Sequence, residues 1–330
     1  MAATDARKEW LTVARPRIGL ALGAGGTKGT AHVGVLKVLT EGGVPIDCVA
    51  GASIGALYGA SFALGHDLWR VERNIRRTPP ADVLRFFRHR LVIGGQSPLG
   101  ERFRRAMGGA RFEDLKVPFA VVASDVLRRE PVLIREGDVL TAVQASISLP
   151  VLARPVRREG RYLLDGGYWE PAPVSAARAL GAEKVIAVVL GEPAVVSGRR
   201  RYWLRRLTAL VERCARLTGS DGSRRPPGLL ASAALYLYAR TDVPVPAAEA
   251  DVVIRPRVAH LNANSPFHMQ LSLRRGEEAA RQALPMIQEM LRKSCPALRS
   301  GPGREVAPQP LSAARLQRFL LLGFEADGRQ

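Results

Sequence analysis

The chain has 330 residues, 47% hydrophobic and 24% charged, with a formal charge of +19. This is enough for one large core with appendages, and 6% aromatics among frequent Gly and Ala suits an α/β fold better than a β-sandwich. Three widely spaced cysteines, Cys48, Cys214 and Cys295, argue against a disulfide framework or a zinc site and for a reducing compartment.

The basic residues are six Lys and 43 Arg. Arginine forks suit phosphates and carboxylates, so anionic lipid head groups and nucleic acid are both candidate partners. The plain alternative is an arginine-rich solvated surface. No nucleic-acid motif or interleaved aromatic run accompanies the charge, so no nucleic-acid partner is expected.

Residues 1–16 form a charged leader without the apolar stretch of a secretory signal, so a cytoplasmic location is expected. Residues 17–22 (RIGLAL) read as a buried strand stopped by glycines. The turn GAGGTKG follows, then helical spacing over 30–41 closed by Gly42 and Gly43. A second strand is expected over 44–50 and a second helix over 54–64. This βαβα order predicts a mainly parallel central sheet flanked by helices. The uncharged run 48–65 is long enough to resemble a membrane span, but its glycines and serines divide it into a strand end, a turn and a buried helix.

Residues 67–109 are basic, irregular and partly helical, and suggest a lid or side wall. Strand character returns over 117–126 and 131–134, a helix is expected over 139–146, and a short strand over 161–164 leads into DGG. A helix over 175–180 and strands over 184–190 and 251–255 complete the core. Between them, residues 199–217 place Trp203, Leu207, Leu210, Cys214 and Leu217 on one stripe, with arginines mainly off it. Such a helix can lie on an anionic membrane at its inner face, or pack on the core with its arginines solvated. The expected organisation is a core over 17–190, a C-terminal part over 191–295 containing the basic insertion, and a mobile tail over 296–330 with a short helix.

Three stretches carry candidate chemistry. In Gly51-Ala52-Ser53-Ile54-Gly55 a serine sits at a strand-to-helix turn, where it can be a nucleophile or merely a small residue between packed backbones. The loop Gly23-Ala24-Gly25-Gly26-Thr27-Lys28-Gly29 offers backbone amides to a negative charge. It fits neither the dinucleotide fingerprint nor a phosphate-binding P-loop, which favours an oxyanion over a nucleotide. Asp165-Gly166-Gly167 follows a strand, and its carboxylate can be a weak base or part of an ordinary turn.

Together, AGGTKG, GASIG and DGG resemble the patatin-like phospholipase family in type, order and spacing. LALGAGGTKGTAHVGVLKVL and SISLPVLARPV are similar to further family segments, and the resemblance covers roughly residues 17–190. It implies a three-layer α/β/α fold and a serine acyl hydrolase with a Ser–Asp dyad. Ser53 would be the nucleophile and Asp165 the proton acceptor. Gly25 and Gly26, with Thr27 and Lys28, would form the oxyanion loop, and Gly29, Gly51, Gly55, Gly166 and Gly167 would complete the motifs. Ala24 departs from the family pattern, which often has glycine there. The resemblance implies phospholipid or other acyl-ester substrates and no cofactor or metal.

Two other readings compete. A Ser–Asp–His hydrolase would recruit one of His32, His66, His89, His260 and His268, and Ser53, Asp165 and then His260 or His268 fit the α/β-hydrolase chain order. A non-catalytic lipid-binding or regulatory module would instead rest on the basic helix near Trp203.

Overall fold

A computed structural model describes residues 15–89, 93, 97–125, 127–128, 130–149, 153–191 and 249–294. The amphipathic stretch expected at 199–217, the tail expected at 296–330 and most of the leader lie outside the described residues.

A parallel ladder orders β8 (Val252–Ile254), β7 (Lys184–Val188), β1 (Ile18–Leu22), β2 (Cys48–Ala52) and β3 (Phe119–Asp125). Beyond it the sheet turns antiparallel: β4 (Glu130–Ile134) and β6 (Arg161–Asp165) both pair with β3, and β5 (Val156–Arg158) pairs with β6. The expected α/β architecture with a mainly parallel sheet is therefore present, with antiparallel pairings added at β3 and β6.

Strand alternation separates two faces. Ile18, Leu20 and Leu22 of β1 join the larger core with residues of α1 (Thr30–Glu41), α2 (Ile54–Ala63), α6 (Val139–Ile147) and α8 (Met269–Ser294). Ala21, Cys48, Ala50 and Ala52 face α7 (Val174–Ala179) on the other side. Small residues dominate there because the layers lie close: a Cβ added at Gly19 would stand 2.5 Å from the Ala182 methyl.

Three expectations change. The second strand starts at Cys48 rather than at residue 44, because Asp47 turns its carboxylate to Arg15 and to the Ile18 amide, at 2.5 and 2.7 Å. Within 67–109, expected to be irregular and partly helical, the described residues are more regular than that and form three helices, α3 (Leu68–Arg77), α4 (Pro80–Arg88) and α5 (Pro98–Met107). Their starts carry ordinary signals: Asp67 and Ser97 cap, and Pro80 and Pro98 stand in the first turn. The long α8 has no counterpart in the sequence-based reading. It crosses α1 so closely that a Cβ at Gly34 or Gly276 would lie 2.2 or 2.0 Å from a backbone oxygen of the other helix. Lys37 of α1 then ties two neighbours together through Glu72 of α3 and Glu277 of α8.

The run 48–65 is β2, a turn and the 10-residue α2, as expected. Among the described residues, no helix is long and apolar enough to cross a membrane.

Candidate active site

Register along β3 brings together two residues separated by 112 positions. β2 runs parallel to β3 and ends with Ala52 opposite Val122. β6 runs antiparallel and ends with Asp165 opposite Ala123. Because β4 pairs with the same β3 residues, it must occupy the other edge, and β2 and β6 share one. Their C-terminal ends meet head-on, at neighbouring residues of β3. Ser53 directly follows one end and Asp165 closes the other.

At the turn into α2, Ser53 adopts φ 56° and ψ −126°, a positive φ that few side chains accept. The neighbouring glycines permit it. A Cβ at Gly55 would lie 2.0 Å from the Leu22 carbonyl oxygen, and one at Gly51 would lie 2.6 Å from the Gly55 oxygen. The Ser53 amide donates to Ser146 Oγ at 2.8 Å, and Ser146 Oγ donates to the Val122 carbonyl at 2.6 Å. Ser146 thus pins the strained turn from α6. Sequence reasoning gave it no role, since a helical serine carries no local sign of a partner 93 residues away.

Ser53 Oγ donates to Asp165 Oδ2 at 2.5 Å. The other carboxylate oxygen accepts the Gly167 amide at 2.8 Å. Ser148 and Ser124 hold the Asp165 backbone at 3.0 and 2.7 Å. Asp165 is 1% exposed and Ser53 6%, so the pair is shielded from bulk water. Gly166 is required sterically, because a Cβ there would sit 1.8 Å from the Val122 oxygen.

The glycine-rich loop lies beside this pair. Gly25 and Gly26 donate their amides to no backbone carbonyl among the described residues, whereas the Thr27 amide donates to the Ala263 oxygen at 2.7 Å. Thr27 Oγ1 is also committed, to the Ala263 and Ser265 oxygens, so Thr27 anchors the loop rather than offering a donor. Of the loop residues expected from sequence, Thr27 therefore already has both its amide and its hydroxyl engaged. Lys28 is buried without an ion-pair partner among the described residues, and desolvation lowers its pKa. The departure at Ala24 is accommodated by Gly167: a Cβ on Gly167 would meet the Ala24 methyl at 2.2 Å.

No histidine hydrogen-bonds Ser53 among the described residues. His32 is fully buried under the loop, where its Nε2 meets the Gly23 oxygen at 2.7 Å. Burial pulls its pKa down to about 4, against a smaller opposing effect of that hydrogen bond. His32 is therefore neutral at pH 7, and the carbonyl contact assigns its proton to Nε2. His66 pairs instead with Ser61, Nδ1 to Oγ 3.0 Å, at the far end of α2.

A cavity of about 940 Å³ opens onto Ser53, Gly26 and Thr27. It follows one face of α2 through Leu57, Tyr58 and Ser61, and Val83, Phe86 and Phe103 wall it from α4 and α5. The helices of the segment expected to form a lid or side wall therefore shape the space next to the serine. Such a cavity, whose lining surface is mainly apolar, is the usual setting of a small-molecule site.

Residues 20–178 match the family model described as patatin-like phospholipase. An uncharacterized NTE family protein of Mycobacterium tuberculosis is 33% identical over 178 residues, 53% of this chain and 49% of that protein. Lysophospholipase nte1 of Aspergillus fumigatus is 33% identical over 180 residues, 53% of this chain and 12% of that protein. The chain thus spans about half the length of the mycobacterial relative that it matches. The crystal structure of VipD from Legionella pneumophila aligns with a TM-score of 0.47 at 14% identity, over 82% of this chain and 67% of that one.

Proposed function

We propose that this chain, whose residues 20–178 match the patatin-like phospholipase family model, is a serine acyl hydrolase acting on fatty-acyl esters of phospholipids or lysophospholipids. The observation that carries this reading is the 2.5 Å hydrogen bond from Ser53 Oγ to Asp165, at a turn that faces an apolar cavity. The relative named a lysophospholipase supports the same substrate class.

In this reading Ser53 Oγ attacks the ester carbonyl while Asp165 accepts its proton. A carboxylate with an ordinary pKa near about 4 is a weak base for a hydroxyl, so the step depends on stabilising the tetrahedral oxyanion. The Gly25 and Gly26 amides, at the start of the turn leading into α1, are the donors for that charge. Asp165 returns its proton to the departing alcohol. It then deprotonates a water that attacks the acyl-Ser53 carbonyl, the Ser53–acyl bond breaks, and the fatty acid leaves with Ser53 restored. The buried His32 holds the glycine loop from beneath and stays outside the proton path.

A fluorophosphonate probe tests the nucleophile, and an ester assay tests the base. Wild-type protein is expected to label once, at Ser53, and Ser53→Ala to remain unlabelled. Asp165→Asn is expected to lower kcat by about 10²–10⁴-fold with the fold intact. Full labelling of Ser53→Ala, or wild-type turnover by Asp165→Asn, would exclude the dyad. Loss of activity in a folded His260→Ala or His268→Ala variant would restore the three-residue reading.

A further inference from the structure

The cavity beside Ser53 is apolar in its depth and cationic at its rim. On α3, Arg70, Asn74 and Arg77 are spaced i, i+4, i+7, and all three line it from one helix face. On α5, Arg102 and Arg105 line it opposite them. These five residues are exposed, so they form the banks of the opening while Leu57 and Phe86 lie below. Asp67 is the one carboxylate among the described lining residues, and it caps α3 by accepting the Trp69 amide at 2.9 Å.

The four arginines are not equivalent. Arg105 pairs with Glu101 at 2.9 Å, and Arg102 reaches Asp82 at 3.5 Å. Arg70 and Arg77 have no carboxylate partner among the described residues. Yet α3 does supply a carboxylate to its other arginine neighbourhood, since Glu72 pairs with Arg76 and Lys37. Arg73 of the same helix also lacks a carboxylate partner among the described residues but does not line the cavity, so Arg70 and Arg77 are set apart by being both unpaired and at the rim. The positive field is felt nearby: desolvation, then Arg70 and Lys116, lower the pKa of His66.

The two arginines also occupy different depths. Arg70 lies by His66, at the end of α2 remote from Ser53. The C-terminal turn of α3 meets α8, where the Arg76 carbonyl accepts from Gln270 at 3.5 Å. Met269 in turn is held by Thr30, whose Oγ1 donates to its carbonyl at 2.7 Å. Thr30 and Met269 line the cavity with Ser53, which puts Arg77 toward the nucleophile's end. Seven helical residues separate the pair by about 10 Å along the axis.

We propose that Arg70 and Arg77 form an anion-selective rim, and that the cavity takes a single-chain lipid with a net-negative head group in preference to a zwitterionic one. The acyl chain occupies the apolar depth beneath α3 and α5. The phosphate lies against Arg77, toward the nucleophile's end, while Arg70 extends the positive field along the rim, and a choline-type cation would place like charge beside them. This choice of head group rests on the proposed hydrolase reading for its consequence in turnover, and on the cavity alone for binding.

Binding is measured with Ser53→Ala, using monoacyl phosphatidylglycerol and monoacyl phosphatidylcholine of equal chain length, both below their micellar concentrations. The anionic lipid is expected to bind about tenfold more tightly at low salt, with the preference shrinking as ionic strength rises. Arg70→Gln/Arg77→Gln in the same background should abolish the preference. Arg73→Gln/Arg88→Gln, which removes equal charge away from the cavity, should retain it. Equal affinities, a preference that survives Arg70→Gln/Arg77→Gln, or a preference seen only on vesicles would overturn the proposal. The last outcome would assign the arginines to a membrane surface instead. Where Ser53→Ala fails to fold, the same ratio is read from kcat/KM in otherwise wild-type protein. An unlabelled Ser53 combined with selective binding would remove the hydrolase reading and leave the lipid site standing.

Discussion

The ledge that carries Ser53 and Asp165 and the banks that face it across the cavity are built on opposite principles. The ledge is glycine, alanine and serine, packed until no further atom fits: a Cβ at Gly29 would lie 2.3 Å from Ile54, and one at Gly166 1.8 Å from a backbone oxygen. The banks are helices rich in arginine, held by exposed ion pairs such as Arg76–Glu72 and Arg104–Glu101. Close packing fixes the geometry of reacting atoms, whereas long side chains at a rim adjust to what enters. Chemistry and selectivity are therefore expected to fail under different substitutions.

The largest contrast is between two glycines. Gly166→Ala is expected to cost more than about 3 kcal/mol, because the obstructing atom is a backbone oxygen of the central strand. Gly109 follows α5, has φ 79° and has nothing within 4 Å of an added Cβ. Gly109→Ala should cost only the about 1–2 kcal/mol of its positive φ. Denaturant unfolding of the two variants checks the comparison, and equal losses would erase it.

The ledge was legible in sequence and the banks were not, for the same reason. Glycines that allow close approach occur at fixed offsets, so GASIG and DGG announce themselves within a few residues. Ser146 and Gly276 do comparable service but meet partners far along the chain, and nothing local marks them. In the bank region, Pro80 and Pro98 stand in the first turns of helices, a place where proline in sequence reads equally well as a break. The arginines of α3 look like an ordinary solvated face until the fold shows which of them overlook the cavity. The boundary of β2 was misplaced because Val44 and Ile46 continue an apolar pattern that Asp47 interrupts by bonding to β1.

Under the ledge, His32 makes stability depend on pH. Its folded pKa is about 4, below the ordinary value of 6.5. Between these values the unfolded chain binds the proton and the folded one does not, so stability is full above about pH 6.5 and is lost as pH falls toward 4. The expected loss is about 3 kcal/mol, with no further loss from this group below pH 4. His32→Gln should flatten that part of the profile. On the bank side, Phe103→Ala should cost about 1–2 kcal/mol. The ring is half-buried and packs edge-on against Phe86, with centroids 5.7 Å apart. Because it also lines the cavity, the optimum acyl length should move upward in a kcat/KM series. A loss confined to stability would mean that the bank does not measure the chain.

The smallest effect should come from Glu101→Gln, and it distinguishes a rim that selects from one that only coats the surface. Glu101 is partly exposed, and its hydrogen bonds from Arg104 and then Arg105 hold its pKa at about 2, so it stays ionised at working pH. Exposed pairs of this kind add little to stability, and the melting temperature should not move measurably. Removing the carboxylate nevertheless releases Arg105, which lines the cavity on the bank opposite Arg70. A third unpaired guanidinium at the rim should raise the preference for an anionic monoacyl lipid over its zwitterionic counterpart by about twofold at low salt, and the gain should vanish by about 1 M salt. The gain should also vanish when Glu101→Gln is combined with Arg105→Gln. If it persists in that double variant, the extra attraction comes from net charge over the whole surface, and position at the rim carries no weight.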